Sequence, residues 1–405
     1  MPTDKINIML NDLKVLELAS VLAGPSVGQF FAELGAEVIK VENILTGGDV
    51  TRSWKIPEEK TDDRSSYFCS ANWGKKSIAL DLLHAEGREI VHRLAKRSDI
   101  VVTSYKFGDA EKLGVDYKTL SALNSNLIYG QITGFGASNT RVGYDAVVQA
   151  EAGFMFMNGE PGGPSLKMPV ALIDILAAHH LKEAILLALL QKNKTGKGAF
   201  VEVSLLQAAV MSLANQASNW LVAGVIPQKQ GSRHPNIAPY GDIFKTSDDH
   251  EILLAIGNDR QFDSLCKILE IQDELSNYST NELRLKHRSQ LNYLLSKKIS
   301  THFLSPLSGS FSRANIPYGI IKDLRQVFET PEAQSLLLFG DDRTGIRTSV
   351  NSQSDSPLPH ILPPPRLGEH SHEILFQTLE MTNDVIEKLI EHGVVGSSSP
   401  KKGRF

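Results

Sequence analysis

The sequence predicts an α/β protein, a parallel sheet with helices on both faces, joined to a smaller α+β part. Three observations carry this. Short, continuously apolar runs alternate with segments whose apolar residues recur at helical spacing through the first 205 residues, as expected of strands buried on both faces. Small residues and glycines stand at the junctions between these runs. The texture then changes at Gly224–Tyr240, where Pro, Gly, Asn and basic residues cluster as in a linker.

Leu13–Leu18 (LKVLEL) reads as the first strand and Ala19–Pro25 (ASVLAGP) as a loop. Ser26–Leu34 follows as a helix opened by Pro25, with Val27, Phe30, Phe31 and Leu34 on one face. Gly35 supplies the stop, since glycine takes the left-handed cap at little cost, and Glu37–Val41 is the second strand. Together these make one βαβ unit in about thirty residues. Ser77–Asp81, Asp99–Thr103, Leu127–Ile132 and Phe200–Val203 read as further strands. His84–Lys96, Met168–Lys192 and Ser204–Val222 read as helices. Beyond the linker, Asp242–Thr246 and Glu251–Gly257 form a hairpin pattern, Gln261–Leu269 and Thr280–Ser300 helices, and Ile316–Lys322 a strand. Asp341–Pro365 is polar and Pro-rich and is expected on a surface, His370–His392 is helical, and the Ser/Lys-rich tail Gly396–Phe405 is expected to be disordered.

Composition narrows the function classes. Forty-two basic and 46 acidic side chains among 405 residues leave a net charge of −4, which excludes the chain-wide basic field of a nucleic-acid binder. Two cysteines, Cys69 and Cys266, cannot build a disulfide framework or a four-thiolate zinc site, and free thiols in a reducing cytoplasm are the expectation. The start, MPTDKINIMLNDLK, lacks the layout of a signal peptide. No run reaches the about 20 apolar residues that span a bilayer. A cytoplasmic protein without membrane or nucleic-acid partners is expected.

The chemistry-bearing positions begin with the loop and helix Ser20–Phe31, whose small residues allow close backbone approach to a ligand at the end of a strand. A plain βα turn is the alternative. Asn72–Ser77 places Lys75 and Lys76 at a loop entering a strand, and Lys106 and Lys112 could add to the same field. Lysines beside such a crevice hold phosphates as point charges, or they are a solvated edge. Gly134-Phe135-Gly136 is a mobile loop or a simple turn. Asp145, Glu160 and Asp174 are the carboxylates near the sheet edge, and Asp174 lies inside an apolar helix pattern (VALIDILAA) where a carboxylate needs a partner or a shifted pKa. Twelve histidines give no ligand spacing, so no metal is expected, and a seryl nucleophile is not expected either.

LKVLELASVLAGPSVGQFFAELGAEVIKVEN, GGDVTRSW, ANWGKKSIALDLLHAEGREI, LIYGQITGFGA, GYDAVVQAEAGFM, KTGKGAFVEVSLLQAAV, RHPNIAPYGDIF, GNDRQF and PPPRLGEHSHEIL resemble the class III CoA-transferase family, with a leaning toward its succinate–hydroxymethylglutarate branch. The resemblance implies a Rossmann-like large domain made of residues 1–224 and a returning segment 326–405, with a small domain at 225–325. It implies an interlocked homodimer and coenzyme A or an acyl-CoA as substrate, with a carboxylic acid as the second small molecule. Carried over by position, it assigns CoA contacts to Val21, Leu22, Ala23, Ala71, Asn72, Lys75, Ser104, Tyr105, Lys112, Thr133 and Phe135. Gly257, Asn258 and Gln261 match a mobile loop over the reacting centre. The nucleophilic aspartate, expected in a loop of the form G-x-x-D-G-P, falls on Gly162, which cannot form an acyl anhydride. Glu160 is the substitute closest in sequence. Two other outcomes stay open: an acyl-CoA racemase using Asp145 and Asp174, in which Tyr144 stands where a histidine is expected, and a CoA-binding protein without turnover.

Overall fold

The structure, a computed structural model, describes residues 9–136, 138–340, 343–349 and 359–396. The chain divides into two compact units: Met1–Ala152 with Pro169–Leu213 and Ser335–Phe405, and Gly153–Met168 with Ala214–Gln334. Residues 214–224 and 326–334, assigned from the sequence to the large part, group with the second unit, as does the short segment Gly153–Met168.

The first unit is built on six parallel strands: β1 (Lys14–Leu18), β2 (Glu37–Asn43), β3 (Lys75–Leu80), β4 (Ile100–Thr103), β5 (Ile128–Thr133) and β6 (Ala199–Ser204). Their order is β3-β2-β1-β4-β5-β6, and Val395–Gly396 adds an antiparallel edge on β3. From β1 the chain winds outward to β3 and then returns to β4 beside β1. The carboxyl ends of β1 and β4 therefore flank the point where the winding reverses, the place where open α/β sheets form a ligand crevice. Val15, Leu16, Ile100, Val101 and Val102 are fully buried, which is why these runs are apolar on both faces.

Several elements differ from the sequence reading. The first helix is Ala23–Glu33, three residues earlier than expected, and Pro25 lies within its first turn, where a missing N–H costs nothing. Lys75 and Lys76 belong to β3 rather than to the loop before it. Ser204–Val222 is two helices, Leu205–Met211 and Ala214–Leu221, parted where Ala214 takes φ +48°. Residues 370–392 break at Glu380, at φ +56°, leaving Ser371–Glu373 with a π-turn Ile374–Thr378, and a separate helix Asn383–Glu391. Within the stretch expected to run over a surface, Arg343–Ile346 pairs antiparallel with Leu337–Gly340. Gly345 packs so close to the buried Trp73 that a Cβ there would meet Nε1 at 2.2 Å. Residues 341–342 and 350–358 of that stretch, and 397–405 of the tail, lie outside the described residues.

The second unit carries the antiparallel strands β7 (Tyr240–Lys245), β8 (Glu251–Ala255) and β9 (Tyr318–Ile320), in that order. Ile252, Leu254, Phe262, Leu265 and Phe311 form its core. Thr280–Ser300 is interrupted at His287, and the helix Leu304–Arg313 was not foreseen because serines and a glycine dilute its apolar face.

Candidate active site

The turn leaving β1 is held from three sides. Val21 adopts φ +74°, a conformation a β-branched residue takes only under constraint. Its amide donates to Asp49 Oδ1 at 3.2 Å, and the amide of Ser20 donates to Ser104 Oγ at 3.2 Å. A Cβ on Gly24 would meet that of Ala19 at 2.4 Å, so only glycine lets the helix start this near the strand.

Beneath the turn lies a buried charge cluster. Lys40 Nζ reaches Glu17 Oε1 at 2.9 Å, Asp49 Oδ2 at 3.0 Å and the carbonyl of Ala19 at 2.7 Å. Burial opposes its charge, but Glu17, Asp49 and Glu42 outweigh it and hold the ammonium protonated. Lys75 Nζ reaches Glu17 Oε2 at 2.8 Å, Asn72 Oδ1 at 2.8 Å and the carbonyl of Pro25 at 2.9 Å. Burial pulls the Lys75 ammonium down to about 8, against the pull of Glu17 and helped by the charge of Lys40.

A cavity of about 200 Å³ opens at the crevice, lined by Val21, Ala23, Ser104, Tyr105, Thr133 and Asp174 among others. A second, of about 720 Å³, shares Ser20, Ser104 and Tyr105 and extends to Asn43, Gly48 and Arg52. A third, of about 840 Å³, is lined by Leu22, Tyr67, Ala178, Lys182 and Arg347 among others.

Asp174 sits in the first turn of the helix Leu172–Thr195 and is buried. Burial, with the charge of Asp145 beside it, raises its carboxyl to about 7. Asp145 itself is committed: Oδ1 accepts the amide of Ile173 at 2.8 Å and Oδ2 accepts Gln149 Nε2 at 2.7 Å. It thus supplies an acceptor to the start of the helix that carries Asp174. Asp174 lines the first cavity, and perturbed carboxyl groups of this kind cluster at functional sites.

The structure distributes the other sequence candidates unevenly. Val21, Ala23, Ser104, Tyr105 and Thr133 line the first cavity, and Leu22 lines the third. Burial lifts the Tyr105 hydroxyl to about 12. Thr133 Oγ1 donates to Glu202 and accepts the amide of Gly136. Ala71, Asn72 and Lys75 are buried and line none of the cavities described above; the lysine closes the Glu17 cluster and Asn72 accepts a hydrogen bond from it. Lys76 pairs with Glu37 and Glu373, and Lys112 with Asp109 on the surface. Of the four lysines read as phosphate holders, Lys106 is the one that lines a described cavity. Phe135 lies under the guanidinium of Arg141, 4.2 Å from its ring centroid.

Glu160 and Gly162 fall in the second unit, on an exposed loop, and a Cβ on Gly231 would meet Glu160 Oε1 at 2.5 Å. Asn258 and Gln261 form a closed cap there: Asn258 Oδ1 accepts the Gln261 amide and Gln261 Oε1 accepts the Gly257 amide. Tyr144 lines the first cavity and is half exposed. Arg141 and Asn139 line it too and were missed; both lie in a polar loop with no periodic signal. Cys69 and Cys266 are free. Among the described residues no group of three or more His, Cys, Asp or Glu could hold a metal ion, and no helix is long and apolar enough to cross a membrane.

Residues 10–371 match the family model described as CoA-transferase family III. The chain belongs to that family. This CoA-transferase is 38% identical over 393 residues to the succinate–glutarate CoA-transferase of Agrobacterium fabrum, covering 92% of this chain and 97% of the relative. It is 35% identical to the human succinyl-CoA:glutarate CoA-transferase over 397 residues, 95% of this chain and 90% of the relative. Among solved structures, a CAIB/BAIF family protein from Brucella suis superimposes with a TM-score of 0.81 at 37% identity, covering 90% of this chain and 98% of that one. The chain is accordingly an enzyme of the CoA-transferase class with a mixed α/β fold.

Proposed function

We propose that the protein moves coenzyme A from an acyl-CoA thioester to a dicarboxylic acid, with Asp174 as the group that takes the acyl chain. The carrying observation is a buried carboxylate with a raised pKa, opening on a crevice where the sheet order reverses. The Asp174 carboxylate attacks the thioester carbonyl and expels the CoA thiolate, leaving a mixed anhydride. The thiolate attacks the aspartyl carbonyl, releasing the donor acid and leaving an enzyme thioester. The acceptor carboxylate attacks that thioester and expels the thiolate again, which then attacks the acceptor's carbonyl in the new anhydride. Acceptor-CoA leaves and Asp174 is regenerated. Splitting the exchange in this way replaces one difficult step by easier ones.

CoA would lie across the first and second cavities, against Val21, Ala23, Ser104 and Tyr105, and the acid in the third. The dicarboxylate class is suggested by the relatives, whose names specify succinate and glutarate. Glu160, the alternative nucleophile, is exposed on its loop, whereas Asp174 is buried and lines a cavity, which favours Asp174. The interlocked dimer is part of the same reading: Leu187, Leu190 and Met211 stand 66%, 61% and 70% exposed, an apolar face suited to a second copy.

Mass spectrometry of the intact enzyme after succinyl-CoA tests the assignment. The wild type and Glu160→Gln should carry an adduct, mapping to Asp174, and Asp174→Asn should carry none. An adduct on Asp174→Asn would overturn it.

A further inference from the structure

Asp174, Ala178 and Lys182 follow one another at i, i+4 and i+8 on the unbroken helix Leu172–Thr195, so they share one face. Asp174 lines the first cavity, whereas Ala178 and Lys182 line the third. The stripe therefore runs from the reacting carboxylate into the larger space. Tyr67 is also on the third cavity, and burial, with the charges of Asp174, Asp145 and Asp49, pushes its hydroxyl up. Ala178, the residue between, has almost no side chain to obstruct the path.

Two cations stand at the far end. Lys182 is 5% exposed, and its Nζ has a long contact of 3.5 Å to the carbonyl of Thr348 and lies 5.2 Å from the ring centroid of Phe30. No carboxylate lies within ion-pair distance of it among the described residues; Glu33 acts on it only from farther off. Burial depresses its pKa to about 8. Arg347, next to Thr348 in the chain, lines the same cavity, and its Nη1 is buried without a hydrogen-bond partner among the described residues. A buried cation and a buried guanidinium N–H left without an anion mark a place that an incoming carboxylate would satisfy.

We propose that Lys182 and Arg347 bind the distal carboxylate of the acyl group and of the acceptor acid while its other carboxyl reacts at Asp174, so that this pair selects short dicarboxylates over monocarboxylates. The Cα atoms of Asp174 and Lys182 are roughly 12 Å apart along the axis at 1.5 Å per residue. The lysine side chain leans back toward the helix N-terminus and shortens that span. The remaining gap suits an aliphatic diacid of succinate or glutarate length. The inference rests on the function proposed above.

The test compares kcat/KM for glutarate and pentanoate as acceptors with succinyl-CoA as the fixed donor, so that donor effects cancel in the ratio. Lys182→Met and Arg347→Gln should each lower the glutarate preference by about tenfold or more, the worth of one charge-assisted hydrogen bond, mainly through KM for glutarate. Lys182→Arg should restore most of it. A folded Lys182→Met or Arg347→Gln variant that keeps the wild-type preference overturns the proposal. So does an equal loss in the affinity for free CoA by calorimetry, which would make the anion a phosphate of CoA. Should Lys182→Met fail to fold, Arg347→Gln decides alone. Absence of any Asp174 adduct in the wild type would instead sink the function, whereas a normal adduct with unchanged preference sinks only this inference.

Discussion

The backbone amide of Val21 donates to the Asp49 carboxylate at 3.2 Å while Val21 holds φ +74°. The same carboxylate faces Lys40 at 3.0 Å. A buried ion pair thus fixes the backbone at the crevice. A non-glycine residue in this region stores about 1–3 kcal/mol of strain, and Asp49 is one of the groups that holds it there.

Asp49→Ala removes the acceptor of Val21 and a partner of Lys40 together. Loss of one partner of a buried pair costs about 3–5 kcal/mol. Urea unfolding should show a loss of that size, and KM for the CoA thioester should rise. An unchanged urea midpoint would show that the cluster does not hold the turn.

Gly28 is a second point of dependence on that cluster. A Cβ there would lie 1.8 Å from Glu17 Oε2 and 3.2 Å from Lys75 Cε. Neither group can retreat, since both are buried. Gly28→Ala should destabilise by about 1–3 kcal/mol or more, visible as a lowered Tm, although glycine-to-alanine changes inside helices otherwise stabilise.

Asp174 predicts a pH dependence of opposite sign for activity and stability. Its attacking form is the carboxylate, so kcat/KM should rise with pH through about 7. The folded-state pKa lies above the unfolded value, so between about 4 and 7 the native state binds more protons than the unfolded state. Stability contributed by the protonated form is complete below that window and is lost as pH rises through it. Asp174→Asn should flatten this part of the stability curve, a change on the order of a few kcal/mol. A pH-stability profile identical to that of the wild type would refute the raised pKa.

The exposed apolar side chains Leu187, Leu190 and Met211 lie on two helices of the first unit, Leu172–Thr195 and Leu205–Met211. If a second copy covers them, sedimentation of the wild type gives a dimer. Leu187→Lys with Met211→Lys then shifts the mass toward the monomer. A wild-type monomer at micromolar concentration would remove the interlocked assembly from the proposed function.

The strand runs Leu13–Leu18 and Glu37–Val41, the stop at Gly35 and the βαβ repeat were legible in the sequence, because burial on both faces forces local apolar continuity. The same holds for the hairpin formed by β7 and β8, where alternation is local. Family membership was legible too, since its motifs lie in unbroken segments.

What each polar residue does was decided only by the tertiary structure. Lys75 and Lys112 look alike in sequence, but one is sealed under Glu17 and the other pairs with Asp109 at the surface. Asp174 read as an awkward charge in an apolar helix, and Glu160 as an available one on a loop. The reversal of strand order after β3 brings Asp174 to the crevice beside Val21 and Ser104, over separations of 153 and 70 positions. A local pattern records whether a side chain faces inward. It does not record which distant charges meet it there, and those charges set its pKa and its chemistry.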